Sequence, residues 1–186
     1  MGSAGPIFFA PANFPNPSVW RITPHAYHKN HRGEPVGAHI KVGQWAAYYS
    51  VPTATAAAQH PEAAVLIVPD VLGIWQNSQL IADQFAANGY ATLLIDVFNG
   101  DPIPLNTRLD GSDKFDFMGW LAHGSTGDNP HTKEAVDPIV EAAVRFLRDD
   151  KGFKKLAAVG YCFGAKVTCC LPSIPPPPPV SRGQEG

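Results

Sequence analysis

The chain has 186 residues, 45% of them hydrophobic, and a formal net charge of −2, which is enough for one domain with its own core. No basic stripe is visible, so a nucleic-acid partner has no support. We see no signal peptide and no run that could span a membrane, so we expect no membrane association. The three cysteines form neither a CxxC pair nor a disulfide framework. They favour a reducing, cytoplasmic location and indicate no metal site.

Most of the 19 prolines lie near the two ends of the chain, and they divide it into three regions. Residues 1–35 are rich in Pro, Asn, His and Gly and predict an irregular N-terminal arm. Residues 36–167 carry the strand and helix patterns of a folded domain. Residues 168–186 include a run of five prolines and predict a low-complexity tail.

The first half of the domain predicts a hairpin followed by a βαβ unit. Partial alternation over Lys41–Val51 predicts the hairpin. The run Ala63–Val68 has no alternation, which is typical of a parallel strand with helices on both faces. A helix is predicted from an N-cap at Asn77 to a C-cap at Asn88-Gly89, and Tyr90–Val97 is the next buried strand. This order predicts a right-handed crossover.

Two more helices and a strand are predicted in the second half. The aromatic cluster from Phe115 to Leu121 predicts a short helix near the carboxyl edge of the sheet. Residues Thr132–Asp149 carry a strong apolar stripe and predict an amphipathic helix. Because Asp is a favourable N-cap and Pro a favourable first helical residue, Asp137-Pro138 predicts that the regular helix begins there. The apolar run Lys155–Val159 then predicts a buried parallel strand.

The segment Gly160-Tyr161-Cys162-Phe163-Gly164 follows that last strand directly. Strand, Gly-x-nucleophile-x-Gly and helix are the order of a nucleophile elbow, here with Cys162 in place of serine. Such a turn strains the backbone of its middle residue, and Gly160 and Gly164 must be small so that strand and helix can close together. The Phe163 N–H then points to where an oxyanion would form. The alternative is a small buried cysteine in a glycine-containing turn.

Five segments together resemble the dienelactone hydrolase family, in particular its fungal members. They are Val68–Gly73, Phe85–Tyr90, Asp96–Asp101, His131–Glu141 and Gly160–Ala165, and in this order the resemblance covers about residues 36–166. Members of the family have an α/β-hydrolase fold and hydrolyse small esters and lactones with a Cys-His-Asp triad. The resemblance implies a partial α/β-hydrolase fold, in which a parallel sheet flanked by helices ends shortly after the nucleophile elbow.

The resemblance also implies roles for single residues. Cys162 resembles the nucleophile, Phe163 would lend one oxyanion N–H, and Val71 or Leu72 would lend the other. Asp70 resembles a carboxylate that in some members contacts the nucleophile and helps control thiolate formation. Its alternative is a loop-capping aspartate that fixes the turn after the strand. No cofactor and no metal is implied, and the expected ligand is a small ester or lactone.

The departure from the family pattern lies after the elbow. The triad Asp and His of the family follow the nucleophile, but no Asp or His follows Cys162 here. We expect a truncation after Lys166, impaired hydrolysis, and no replacement of the missing base by His123 or His131. The alternative is a non-enzymatic pseudoenzyme or interaction fragment. Loss of the strand beyond the elbow strand would leave an exposed sheet edge, through which we expect the chain to be able to self-associate.

Overall fold

A computed structural model describes residues 8–9, 33–56, 58–109 and 114–169. The strands are β1 (Phe8–Phe9), β2 (Ala38–Val42), β3 (Trp45–Ser50), β4 (Ala63–Val68), β5 (Ala91–Ile95) and β6 (Lys155–Gly160). The helices are α1 (Gln76–Ala87), α2 (Phe117–His123), α3 (Lys133–Arg145) and α4 (Phe163–Cys169), and a π-helical turn over Phe146–Asp150 continues α3. These strands form one mixed sheet in the order β1-β6-β4-β5-β3-β2.

Strand β4 is the centre of the sheet and pairs in parallel with both β5 and β6. It contains no polar residue, and all of its residues except the first are buried. On one face Val65 packs with residues of α1, and on the other Leu66 packs in a cluster with residues of α3. A strand covered on both faces needs apolar side chains at successive positions. The prediction of a buried parallel strand between two helical layers is therefore confirmed.

The hairpin of β2 and β3 is also confirmed, with Val42 opposite Trp45 and Gly43 at φ 61° in the turn. The predicted N-cap of α1, Asn77, lies two residues after the N-cap in the structure. The helix begins at Gln76, and Trp75 is the N-cap because its backbone is already extended at φ −97° and ψ 169°.

The helix predicted over Thr132–Asp149 is confirmed as α3, but the later start of its regular part at Asp137-Pro138 is wrong. Thr132 is the N-cap, Lys133 is the first helical residue and Pro138 lies inside the helix. Proline lacks an N–H, so it removes one bond to a carbonyl four residues earlier in the chain. Burial of Val136, which is 1% exposed, holds the first turn against the sheet and offsets that loss. The apolar stripe of the helix is confirmed, with the buried residues Val136, Ile139, Val140, Ala143 and Val144.

The edge beyond β6 differs from expectation. Phe8 and Phe9 pair antiparallel with Val159 and Ala158, so this end of the elbow strand does have a neighbour. In the described part of the chain no strand pairs with Lys155–Ala157 on that side. The rest of the predicted arm, except residues 33–35, lies outside the described residues. Helix α4 ends at Cys169, two residues after the predicted domain boundary at Val167. Residues 170–186, which include most of the predicted tail, also lie outside the described residues.

Candidate active site at the turn between β6 and α4

Cys162 lies between the end of β6 at Gly160 and the start of α4 at Phe163. Its φ is 51°, a value that residues with a Cβ adopt only under strain, and its side chain is exposed. Phe163 is the first residue of the helix, so its N–H has no acceptor within α4. The strand, strained residue and helix predicted for an elbow are thus confirmed. The nucleophilic role of Cys162 stays a prediction.

The two elbow glycines lie where no side chain fits. A Cβ on Gly160 would lie 2.2 Å from the carbonyl oxygen of Gly164, and a Cβ on Gly164 would lie 2.1 Å from that of Val68. Both separations are far below van der Waals contact with atoms of the main chain, which cannot rotate away. Neither glycine has a positive φ, so the requirement is steric and comes from the close approach of α4 to the strands.

Backbone hydrogen bonds hold the elbow against the end of β4. The N–H of Tyr161 donates to the Val68 carbonyl at 3.1 Å, and the N–H of Gly164 donates to the Pro69 carbonyl at 3.1 Å. The Thr168 hydroxyl donates to the Gly164 carbonyl at 2.9 Å. These bonds bring the loop that follows β4 next to the turn that carries Cys162.

Asp70 is the first polar residue of that loop, and it fixes the loop's shape. Its Oδ1 accepts a 2.9 Å hydrogen bond from the N–H of Leu72, and its carbonyl accepts one from Gly73. This is the Asx-turn geometry of a loop-capping aspartate. Because the Leu72 N–H is already used, Val71 remains the candidate for the second oxyanion donor in this conformation.

Burial raises the pKa of the Asp70 carboxyl, and the N–H groups of Leu72 and Trp75 act weakly in the opposite direction. The Trp75 indole N–H is near enough to lower the pKa of Asp70, but among the residues that the structure describes it makes no hydrogen bond. Burial therefore outweighs these two donors, and the site favours the protonated carboxyl more than water does.

Two substitutions at Asp70 separate its structural role from a chemical one. We expect Asp70→Asn, which keeps an acceptor for Leu72, to be at least as stable as the parent at neutral pH. The raised pKa makes the ionised carboxylate unfavourable in the fold, so its contribution to stability is largest below the ordinary pKa and is lost as pH rises through the folded value. Urea unfolding at acidic and neutral pH measures this difference.

Asp70→Ala is the matched control, because it also removes the acceptor. Compared with Asp70→Asn, we expect it to be less stable by about 1 kcal/mol at either pH, because both variants lack the charge and only this one lacks the hydrogen bond. If Asp70→Asn is stable but loses acylation of Cys162, the carboxylate takes part in the chemistry. Full acylation of Cys162 in Asp70→Asn would mean that Asp70 has only the loop-capping role.

A buried imidazole and carboxylate pair lies behind the elbow. His131 is 1% exposed, and its Nε2 lies 3.0 Å from Asp101 Oδ2. Burial raises the pKa of Asp101, but hydrogen bonds from Ser125 and from His131 outweigh that effect and lower it. No motif joins the two residues, which are 30 positions apart, so the sequence did not reveal the pair.

The aromatic packing around His131 separates it from the surface. The Phe98 ring contacts both His131, at 5.3 Å between centroids, and Phe163, at 5.0 Å. Trp120 packs on the imidazole at 4.4 Å. His131 is thus enclosed in the core with Nε2 committed to Asp101, while His123 is exposed at the end of α2. This arrangement supports a structural role for His131.

In residues 33–56, 58–109 and 114–169 no group of three or more His, Cys, Asp or Glu side chains could hold a metal ion. Within the same ranges, every helix is too short or too polar to cross a bilayer.

A family model described as the dienelactone hydrolase family matches residues 46–176. The chain is 41% identical over 139 residues to hydrolase tropI of Talaromyces stipitatus. This alignment covers 73% of the chain and 51% of the relative. It is 38% identical over 137 residues to hydrolase pyvD of Aspergillus violaceofuscus, with 73% and 50% covered.

A third relative is dienlactone hydrolase 2 of Gibberella moniliformis, 33% identical over 146 residues, with 75% of the chain and 56% of the relative covered. The chain thus spans about half the length of the curated relatives it matches. No solved structure matches it.

Proposed function

Because the chain belongs to the dienelactone hydrolase family, we propose that it attacks small esters or lactones through the thiol of Cys162. The α/β-hydrolase fold of this family accounts for the sheet with helices on both faces and for the turn between β6 and α4. The observation that carries the proposal is the exposed Cys162 side chain on a backbone with φ 51°, between strand β6 and helix α4. A strained residue in that position is typical of a nucleophile on an elbow.

The chemistry follows from the position of the turn. The Cys162 sulfur attacks the carbonyl carbon of the ester, and the electron pair of the C=O double bond moves onto the oxygen. The N–H groups of Phe163 and Val71 would stabilise that oxyanion. When the carbonyl re-forms, the C–O bond breaks, the alkoxide takes up a proton, and an acyl thioester remains. Water then releases the carboxylic acid and restores the thiol, and no step needs a cofactor.

We expect this cycle to be slow in the 186-residue chain. A cysteine thiol is mostly protonated at neutral pH unless a neighbouring base or charge activates it. No Asp or His follows Cys162 in the sequence, and His131 is enclosed in the core. Enzymes that lose triad members keep only a residual acceleration from the oxyanion hole and substrate binding. The alternative of a pseudoenzyme predicts no acylation at Cys162 at all.

Acyl trapping tests the proposal directly. The chain is incubated with p-nitrophenyl acetate, quenched in acid, digested and analysed by peptide mass spectrometry. We expect an acetyl group on the peptide that contains Cys162. Cys169 and Cys170 provide internal controls, because they share the chain but not the elbow. Acetylation spread evenly over the three cysteines would overturn the proposal.

A further inference from the structure

Residues 98–103, which follow β5 and which we call the support loop, lie against the loop that follows β4. The N–H of Ile103 donates a 2.8 Å hydrogen bond to the carbonyl of Val71. Pro102 packs next to Gly73, since a Cβ built on Gly73 would lie 3.1 Å from the Cβ of Pro102. The support loop is therefore in direct contact with Val71, the candidate for the second oxyanion donor.

Hydrogen bonds fix both peptide groups next to the Cα of Val71. The carbonyl of Asp70, which shares a peptide group with the Val71 N–H, accepts a 3.0 Å bond from the N–H of Gly73. The carbonyl of Val71 itself accepts the bond from Ile103. Because a peptide group is planar, a fixed carbonyl also fixes the direction of the N–H in the same group. The direction of the Val71 N–H thus depends on the turn at 70–73 and, through Ile103, on the position of the support loop.

Side chains hold the support loop in place, because it has no regular secondary structure. Asn99 and Gly100 have φ values of 51° and 81°. The Asp101 Oδ2 accepts a 2.8 Å bond from the N–H of Ser125 and lies 3.0 Å from the Nε2 of His131. Burial raises the pKa of Asp101, but these bonds lower it below its ordinary value, so the carboxylate is ionised at neutral pH. Hydrogen bonds to an ionised acceptor are stronger than those between neutral groups.

His131 also reaches the first candidate donor, Phe163, through one aromatic ring. The imidazole lies 5.3 Å from the ring of Phe98, the first residue of the support loop, and that ring lies 5.0 Å from the ring of Phe163. Phe98 and His131 are 0% and 1% exposed, so neither ring can move without disturbing its neighbours. Contacts of the support loop therefore connect His131 with the residues that carry both candidate donors.

We propose that Asp101 and His131 are positioning residues for the oxyanion site of this chain. Their bond holds the support loop against the loop that follows β4, and the support loop in turn orients the Val71 N–H. The inference rests on the proposed function of Cys162 and deepens it, because an oxyanion site depends on the groups that fix its donors. Loss of the bond should therefore slow attack on a carbonyl more than it slows other reactions of the same thiol.

Two pairs of substitutions remove or keep this bond. His131→Leu removes the donor, whereas His131→Gln keeps an N–H group near the place of Nε2, and neither has an aromatic ring. Asp101→Ala removes the acceptor, whereas Asp101→Asn keeps one. Leu94→Ala is the control for a general loss of stability, because Leu94 is 0% exposed and belongs to the apolar cluster on the α1 face of the sheet.

Two reagents separate the oxyanion site from the thiol. Attack of the Cys162 sulfur on p-nitrophenyl acetate places negative charge on the carbonyl oxygen, whereas with iodoacetamide the sulfur displaces iodide and no oxyanion forms. Both reactions need the thiolate, so the ratio of their rates does not depend on its population. Peptide mass spectrometry measures both rates at Cys162.

We expect the ratio of acylation to alkylation to fall about tenfold in His131→Leu and Asp101→Ala, which is less than the roughly hundredfold cost of losing a whole donor. The ratio should stay near the parent value in His131→Gln, Asp101→Asn and Leu94→Ala. If the parent is acylated but the ratio is unchanged in His131→Leu and Asp101→Ala, or falls equally in Leu94→Ala, the inference is wrong and the proposed function stands.

Hydrogen exchange provides a measurement that does not involve Cys162. The Ile103 amide, which donates to Val71, should exchange faster relative to the amides of β4 in His131→Leu and Asp101→Ala, but not in Leu94→Ala. If the parent is not acylated at Cys162, the proposed function fails, and this exchange still decides whether the pair holds the support loop. Unchanged relative exchange at Ile103 in both His131→Leu and Asp101→Ala would overturn the inference.

Discussion

Replacing Gly164 by alanine is expected to lower the free energy of unfolding by about 3 kcal/mol. The new Cβ would lie 2.1 Å from the Val68 carbonyl oxygen and 2.7 Å from that of Pro69. Val68 is the last residue of β4 and Pro69 follows it, and their oxygens accept hydrogen bonds from Tyr161 and Gly164. The overlap can be relieved only if α4 moves away from the sheet, which breaks those bonds. Urea unfolding followed by circular dichroism measures the loss.

Gly152 offers the matched control for this substitution. It has φ 75°, and a Cβ there meets no atom of the described residues within 4 Å. Gly152→Ala should therefore cost about 1 kcal/mol, from backbone strain alone. Leucine extends the comparison, because at Gly152 it should cost little more than alanine, whereas at Gly164 it should cost much more. Equal costs at both positions would mean that the helix does not approach β4 as closely as the structure shows.

The second expected result is the loss of all acylation when Cys162 is replaced by alanine. In a stopped-flow assay with p-nitrophenyl acetate, the parent chain should release up to one p-nitrophenol per chain in a first phase, followed by slow turnover. The first phase is formation of the thioester, and the second is its hydrolysis without an imidazole to activate water. Cys162→Ala should reduce both phases to the rate in buffer.

Cys169→Ala is the control in the same assay, since it removes another thiol of the chain but leaves Cys162 in place. We expect it to keep the first phase, provided that unfolding measurements show the same stability. If Cys162→Ala retained the parent rate, the sulfur at the elbow would have no part in ester chemistry. The chain would then be better explained as a non-enzymatic member of its family.

The sequence was most informative where a short segment determines its own structure. The run Ala63–Val68 has no alternation, and such a run is stable only between two covering layers. The spacing of Gly160 and Gly164 around Cys162 indicated a turn too tight for side chains, and the structure has that turn. The resemblance to the dienelactone hydrolase family rests on such local segments, so it too could be read from the chain.

The tertiary structure decided what depends on contacts between distant segments. Helix α3 begins at Lys133 instead of Asp137 because the burial of Val136 against the sheet outweighs the local preference for proline at a helix start. The Asp101 and His131 pair is 30 residues apart, and no local pattern marks it. The N–H of Leu72 donates to Asp70, which leaves Val71 as the candidate for the second proposed oxyanion donor.

The pairing of Phe8 and Phe9 with β6 also depends on a distant segment. Their sequence shows no strand period, and they are extended because they pair with β6. The sequence by itself determined the order of strands and helices, the elbow and the family, because those follow from patterns a few residues long. Packing decided helix starts, hydrogen-bond partners and edge pairing, because the free energy of each depends on groups that only the folded chain brings together.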